Sequence, residues 1–257
     1  MTKNLNRRRL QFFNKFFFLY FSFLLLIIIL IYNLYLNKDY FLKNLETSVE
    51  SFSKKYNYQY INLQINGLEK IDSNNIEKIL NKYNNSSIFL LPFDKITKEI
   101  KENNWIKNIK LTTDYKNTLI IDLEEYKPIG LYNFNNKLFY FDNNNKIIEQ
   151  VNNKDKIENY IIFYGNNSNL KANLILQILN DLNFQQKYKV KKVEYLNKRR
   201  WNIYLKSNMK LMLSETDPKI SLQNFINIEK QLKKIDIKNI NYFDLRNIDR
   251  TIIDYIQ

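Results

Sequence analysis

The 257-residue chain contains no cysteine and no histidine. The first absence removes disulfides and thiolate nucleophiles, the second removes imidazole bases, and together they exclude zinc centres built on those ligands. A Ser-His-Asp triad is excluded as well. The three glycines lie at 67, 130 and 165, too far apart for a phosphate-cradling loop. Any catalysis would have to run on carboxylates, Lys, Ser, Thr or Tyr, and these do not converge. Glu124 and Glu125 are adjacent on an expected strand, so their side chains leave on opposite faces and cannot work as a paired acid and base. They are expected to be solvated or locally paired. Ser168 and Ser214 lack the glycine-flanked turn of a nucleophile elbow. The chain is therefore expected not to be an enzyme and to need no cofactor or metal.

Acidic residues are also scarce relative to basic ones, leaving a net charge of +14. A positive balance of that size ordinarily points to phosphates or an acidic membrane. Here Lys is spread along the whole chain among Asn and Ile, and no arginine-rich tract follows residue 9. That is the composition an AT-rich coding sequence gives to any fold, so nucleic acid is not an expected partner.

One long apolar run is present, from Phe16 to Leu36, interrupted only by Ser22 and Asn33. As a helix it would span about 30 Å, enough to cross a bilayer once. It is too long for the apolar region of a cleaved signal, and no A-x-A-like site follows it, so it reads as an uncleaved anchor. Lys3, Arg7, Arg8, Arg9 and Lys15 precede the span with no acid among them, whereas Lys38, Asp39, Lys43 and Glu46 after it are mixed. This asymmetry keeps the N-terminus in the cytoplasm and places everything from about Asn37 onward outside. Tyr32 and Tyr35 suit an interfacial position.

The outer part begins with a helical stalk, Leu42 to Tyr56. Ile61, Leu63 and Ile65 then alternate with polar residues and stop at Gly67, which makes a strand and a turn. Asp72 and Ser73 offer N-caps to a helix with Ile76, Ile79, Leu80 and Tyr83 on one face. A second short helix starts near Asp94 after Pro92, with Ile96 and Ile100 one turn apart. Ile109, Leu111 and Thr113 line one strand, and Leu119, Ile121 and Leu123 line the next. Such a β-α-α-β-β unit packs two helices on one face of a three-stranded sheet. Further on, strands are expected at Leu131 to Phe134, Lys137 to Phe141, Tyr160 to Gly165, Arg199 to Leu205 and Met209 to Leu213. Ala172, Ile175, Leu176 and Leu179 mark one helix, and Asp217-Pro218 opens another with Phe225, Ile228, Leu232 and Ile235. A strand follows at Ile240 to Arg246, and the terminal strand is read over Asn247 to Tyr255. Trp105 and Trp201 sit at the margins of apolar strands and are read as core residues.

Several words in this order resemble the FtsQ family with its POTRA domain, most closely the alphaproteobacterial type. Ile65-Asn66-Gly67 resembles its hydrophobic-x-Gly turn, Ser87 to Leu91 its apolar loop, and Asn104-Trp105-Ile106 its Pro-Trp-Val element. Asn117 to Ile121 with Glu124, Glu125 and Pro128 resembles an N-T-L-x-I…E-x-x-P run. Asp142 to Ile148 resembles a D-x-x-G-x-V-I turn, Arg199-Arg200-Trp201 an R-R-W strand, and Asp244-Leu245-Arg246 followed by Arg250 a terminal D-L-R…R strand. Asn104 and Lys116 depart from it, standing where the family often has Pro.

The resemblance implies an α+β protein: a cytoplasmic tail at 1–15, a membrane helix at 16–36, a stalk at 37–57, a POTRA domain at 58–127, and a second mixed domain rich in antiparallel strands at 128–257. It further implies a bitopic inner-membrane protein of the division septum. Its periplasmic part would bind FtsB-like and FtsL-like membrane proteins and help control septal peptidoglycan synthesis. The partner-binding residues so implied are Arg199, Arg200, Arg246, Asn247, Asp249, Thr251, Ile253 and Tyr255, with at least one of the Arg199-Arg200 pair facing the partner. POTRA domains also occur in transport and secretion scaffolds, which is the alternative reading.

Overall fold

The computed structural model describes residues 4–152, 154–232, 237 and 239–256. Lys3 of the basic flank and Ile235 of the last expected helix lie outside them. The chain divides into two compact units: one holds the chain up to Asn66 with Asp72–Ile100 and Ile109–Asp122, the other holds Gly67–Ile71, Lys101–Asn108 and everything from Leu123 onward.

In the first unit, helix α1 (Asn4–Leu36) contains the apolar stretch Phe17–Leu36, long enough to cross a membrane. Helix α2 (Lys38–Tyr56) begins after the single residue Asn37, earlier than the stalk read from Leu42. Its far end is pinned by two polar contacts. The buried Ser53 hydroxyl bonds that of Ser87 at 2.7 Å, and the Glu50 carboxylate accepts the Ser87 backbone N–H at 3.1 Å.

Strand β1 (Asn62–Asn66), helices α3 (Ser73–Leu80) and α4 (Phe93–Ile100), and strands β2 (Ile106–Thr113) and β3 (Thr118–Glu125) follow in the expected order. The sheet order is β1-β3-β2, with β1 parallel to the central strand and Leu63 and Ile65 opposite Leu119 and Ile121. Ile76, Leu80, Ile96 and Ile100, one helical turn apart in each pair, are buried together with Leu119 and Ile121. The Asp72 carboxylate caps α3 by accepting the Asn74 N–H. Between β2 and β3 the Asp114 carboxylate accepts the N–H groups of Lys116, Asn117 and Thr118, which holds its pKa below the ordinary value. Proline at 116 could not donate the first of these bonds, so Lys116 suits this turn.

The second unit is built on a nine-stranded mixed sheet. Its strands are β4 (Pro128–Phe134), β5 (Lys137–Asp142), β6 (Ile147–Gln150), β7 (Ile162–Tyr164), β8 (Val190–Leu196), β9 (Arg200–Leu205), β10 (Lys210–Leu213), β11 (Ile240–Asn247) and β12 (Arg250–Tyr255). They lie in the order β12-β11-β10-β9-β8-β7-β4-β5-β6. Helices α5 (Ala172–Asp181), α6 (Phe184–Tyr188) and α7 (Pro218–Gln231) make the crossovers that the parallel pairs β7–β8 and β10–β11 require. Phe141, Phe163, Phe184, Phe225 and Phe243 are fully buried in the core between helices and sheet. Trp201 is buried too, stacked on Tyr195 and edge-on to Phe163. Trp105 belongs to a smaller cluster with Leu131, Tyr140 and Ile148, and its indole N–H donates to Glu149 at 2.5 Å.

Gly67 has φ +83, and a Cβ there would lie 2.0 Å from the Leu123 carbonyl oxygen, so the turn admits only glycine. The next residues are held by Glu125, so that of the two expectations, solvated or locally paired, it is buried and paired. Its carboxylate, 6% exposed, accepts backbone N–H groups of Glu69, Lys70 and Ile71 at 2.9–3.2 Å. Glu124, on the opposite face, is locally paired with Lys107 and Asn108, both at 2.6 Å.

Two further readings are corrected and one missed strand is added. The strand read over Tyr160 to Gly165 is confined to β7, because Tyr160 closes a turn onto Ile157. Strand β8 escaped the periodicity because its pairing shifts register between Val190 and Lys192, so the apolar positions do not alternate there. The single terminal strand over Asn247 to Tyr255 is a hairpin: Asn247 ends β11, its side-chain oxygen accepts the Asp249 N–H, and β12 starts at Arg250.

Candidate functional site

Strand β12 is the outermost strand of the sheet, bonded to β11 on one side only. Just beyond it, the Ile256 N–H points inward and donates to the Asn239 carbonyl at 2.7 Å. Backbone direction alternates along a strand, so Asp254 and Ile252 also face β11, while the N–H and C=O groups of Tyr255, Ile253 and Thr251 face away from it. A row of unpaired backbone donors and acceptors of this kind is a template for another strand.

The side chains around this edge divide between two faces. Ile253 packs against the helix-covered core with Phe243 and Leu245. Ile252, opposite Asp244, is exposed, as are Tyr255, Ile256 and Ile248. Asp244 itself is 8% exposed and grips the Arg246 guanidinium, which donates from Nε to both carboxylate oxygens at 2.8 and 3.0 Å and from its terminal nitrogen to one of them. These bonds, reinforced by the charges of Arg246 and Arg200, hold the Asp244 pKa below its ordinary value, and the same bonds with the Asp244 charge push that of Arg246 up. The registers Asn202–Met212 and Met212–Asp244 set Arg200 and Arg246 at the same end of one face, two strands apart.

Of the residues anticipated from sequence, Thr251, Ile253 and Tyr255 lie on the edge strand. Arg246 and Asn247 end its neighbour, and Asp249 is in the hairpin turn. Arg200 opens β9 half-buried, and Arg199 precedes it on the surface, its Nε 3.6 Å from Glu215. Sequence reasoning missed Asp244 as the holder of Arg246, although the D-L-R word carries both. It also left out Ile252 and Ile256, whose exposure depends on which way the edge strand faces.

A membrane-spanning helix, a β-α-α-β-β unit and a sheet-rich domain with an open edge define a single-span membrane protein that carries a POTRA domain. Residues 62–126 match the family described as "POTRA domain, FtsQ-type", and residues 130–246 match "Cell division protein FtsQ/DivIB, C-terminal". The chain is 28% identical to the cell division protein FtsQ of Rickettsia conorii over 216 residues, 82% of this chain and 77% of that protein. With FtsQ of Rickettsia prowazekii the identity is 28% over 220 residues, covering 81% and 77%. With that of Bradyrhizobium diazoefficiens it is 22% over 214 residues, covering 83% and 61%. The chain belongs to the FtsQ/DivIB family of cell division proteins.

Proposed function

We propose that this protein is a non-enzymatic scaffold of the septum. Its N-terminus lies in the cytoplasm and its chain beyond the span in the periplasm. Through β12 it captures a strand of an FtsB-like partner, and through that partner an FtsL-like one, thereby helping to control septal peptidoglycan synthesis. The observation that carries this reading is the free row of backbone groups at Thr251, Ile253 and Tyr255 beside the Arg200–Arg246 cluster. Strand addition draws affinity from main-chain bonds and specificity from flanking side chains. Tyr255 serves as an exposed aromatic anchor, and Arg246, Arg200 or Arg199 meets an acidic segment of the partner. The outer domains 58–127 and 128–257 are treated as the POTRA and strand-capturing parts respectively. The transport-scaffold alternative gains nothing from the C-terminal match, which is to a division family.

The test is a set of proline substitutions in the full-length chain, with partner binding measured at two salt concentrations. Thr251→Pro and Tyr255→Pro each remove an outward-facing donor and should weaken binding at least about tenfold, whereas Thr251→Ala should be mild. Arg246→Ala should remove most of the salt dependence and little of the rest. Wild-type affinity in a folded Thr251→Pro variant would sink the strand-addition reading.

A further inference from the structure

Helix α2 carries Leu42, Leu45, Val49, Phe52 and Tyr56 at successive spacings of three, four, three and four residues. They share one face, and all but the half-buried Val49 are exposed, Leu45 at 47% and Phe52 at 51%. Glu50 and Ser53, which pin α2 to its own unit, lie on the flank of this face, and Phe52 also stacks on Tyr58 of that unit with ring centroids 6.0 Å apart while half of it stays exposed. Beyond the first turn its remaining surface is polar, with Lys43, Asn44, Glu46, Thr47, Ser51 and Lys54, while Tyr40 and Phe41 are exposed beside the span.

Three kinds of occupant compete for this stripe, and charge and length separate them. A helix that lies in a membrane surface has a broad apolar face and a Lys- and Arg-rich polar one. Here the apolar positions beyond Phe41 follow a seam of period 3.5, and Lys38, Lys43, Lys54 and Lys55 are nearly balanced by Asp39, Glu46 and Glu50. That period is the one that winds two helices around each other. The seam runs only about two heptads, roughly 21 Å, too short to recruit a helix from solution. Tethering in the same bilayer supplies the missing local concentration. Helix α2 begins one residue beyond the membrane span, so a tethered helix entering from that membrane runs parallel to it. A second copy of the chain is disfavoured by Lys38, which falls four residues before Leu42 on the same seam and would face its own counterpart across a parallel pair.

We propose that the seam on α2 docks the membrane-proximal helix of a different single-span membrane protein, parallel to it, with apolar residues at the seam and an acidic residue level with Lys38. This contact is separate from the β12 edge and does not depend on it.

The test uses the full-length chain in its own membranes with a photoreactive phenylalanine analogue placed in turn at 42, 45, 49 and 52, and at 44, 47 and 51 as the off-seam series. The expected result is adduct formation at the first four positions only, with an alkali-resistant membrane protein that mass spectrometry identifies as single-span and crosslinked next to its span. Lys38→Glu should lower the yield at 42 several-fold, and an unchanged yield would remove the acidic residue from the proposal. Leu45→Glu should reduce copurification of the identified protein about tenfold by placing a charge in the seam, with the urea midpoint of the chain unchanged because the position is exposed. Adducts at the seam only with a second copy of the chain, adducts only with lipid, equal yields in both series, or no adduct at any position would each overturn the proposal.

Discussion

Glu125 and Asp244 are both buried carboxylates that fix a neighbour by charge-assisted hydrogen bonds, yet they serve different ends. Glu125 orders backbone, holding three consecutive N–H groups behind the Gly67 turn. Asp244 orders a side chain, fixing the Arg246 guanidinium beside the open edge. Because the folded-state pKa of Asp244 is depressed, its contribution to stability is present above the unfolded value near about 4 and is lost as pH falls through the folded one. Asp244→Asn is therefore expected to lower stability at neutral pH and to flatten the acid limb of the stability curve. Urea unfolding between about pH 2 and pH 7 reads both effects. The same variant frees Arg246 and, on the proposed strand-addition reading, should weaken partner binding without altering the backbone ladder. An unchanged acid limb would mean that the ion pair adds nothing to the fold.

At the scale of elements, the turns show how an asparagine-rich chain folds with few glycines. The β4–β5 hairpin turns on Asn135 and Asn136, both at positive φ, 49° and 60°, which matches the twist of the flanking strands. Asparagine tolerates this region where a β-branched residue does not. Asn136→Val should destabilise the second unit by about 1–2 kcal/mol, while Asn136→Gly should be neutral or slightly stabilising. Thermal unfolding by circular dichroism distinguishes the two, and equal effects would show that the turn is not the constraint. The terminal hairpin illustrates the opposite difficulty. Asn247-Ile248-Asp249 reads as part of an alternating strand, and the antiparallel pairing of Asn247 with Arg250, with the bond from the Asp249 N–H to the Asn247 side chain, shows that the chain reverses there.

For the whole molecule, both surfaces lie on the far side of the membrane span in the proposed reading. The basic residues before the span and the mixed charges after it favour a cytoplasmic N-terminus. A reporter that functions only outside the cytoplasm, fused after Gln257, should therefore be active. The same fusion with Arg7, Arg8, Arg9 and Lys15 all changed to Glu should lose most of that activity. Activity of a cytoplasm-only reporter at the same position would reverse the orientation and with it the septal reading.

The sequence by itself determined the span, the β-α-α-β-β order and the family words, because each rests on a local pattern: an unbroken apolar run, a 3.6- or 2-residue period, or a turn residue. It also pointed to Thr251, Ile253 and Tyr255, which lie on the edge strand β12. Tertiary structure alone decided that β12 is outermost in a nine-stranded sheet, that Asp244 holds Arg246, and that Glu125 is buried against Glu69, Lys70 and Ile71. Strand order is set by which side chains pack across the sheet. A carboxylate looks the same in sequence whether it meets water or, as with Glu125 and residues more than fifty positions away, a cradle of backbone N–H groups.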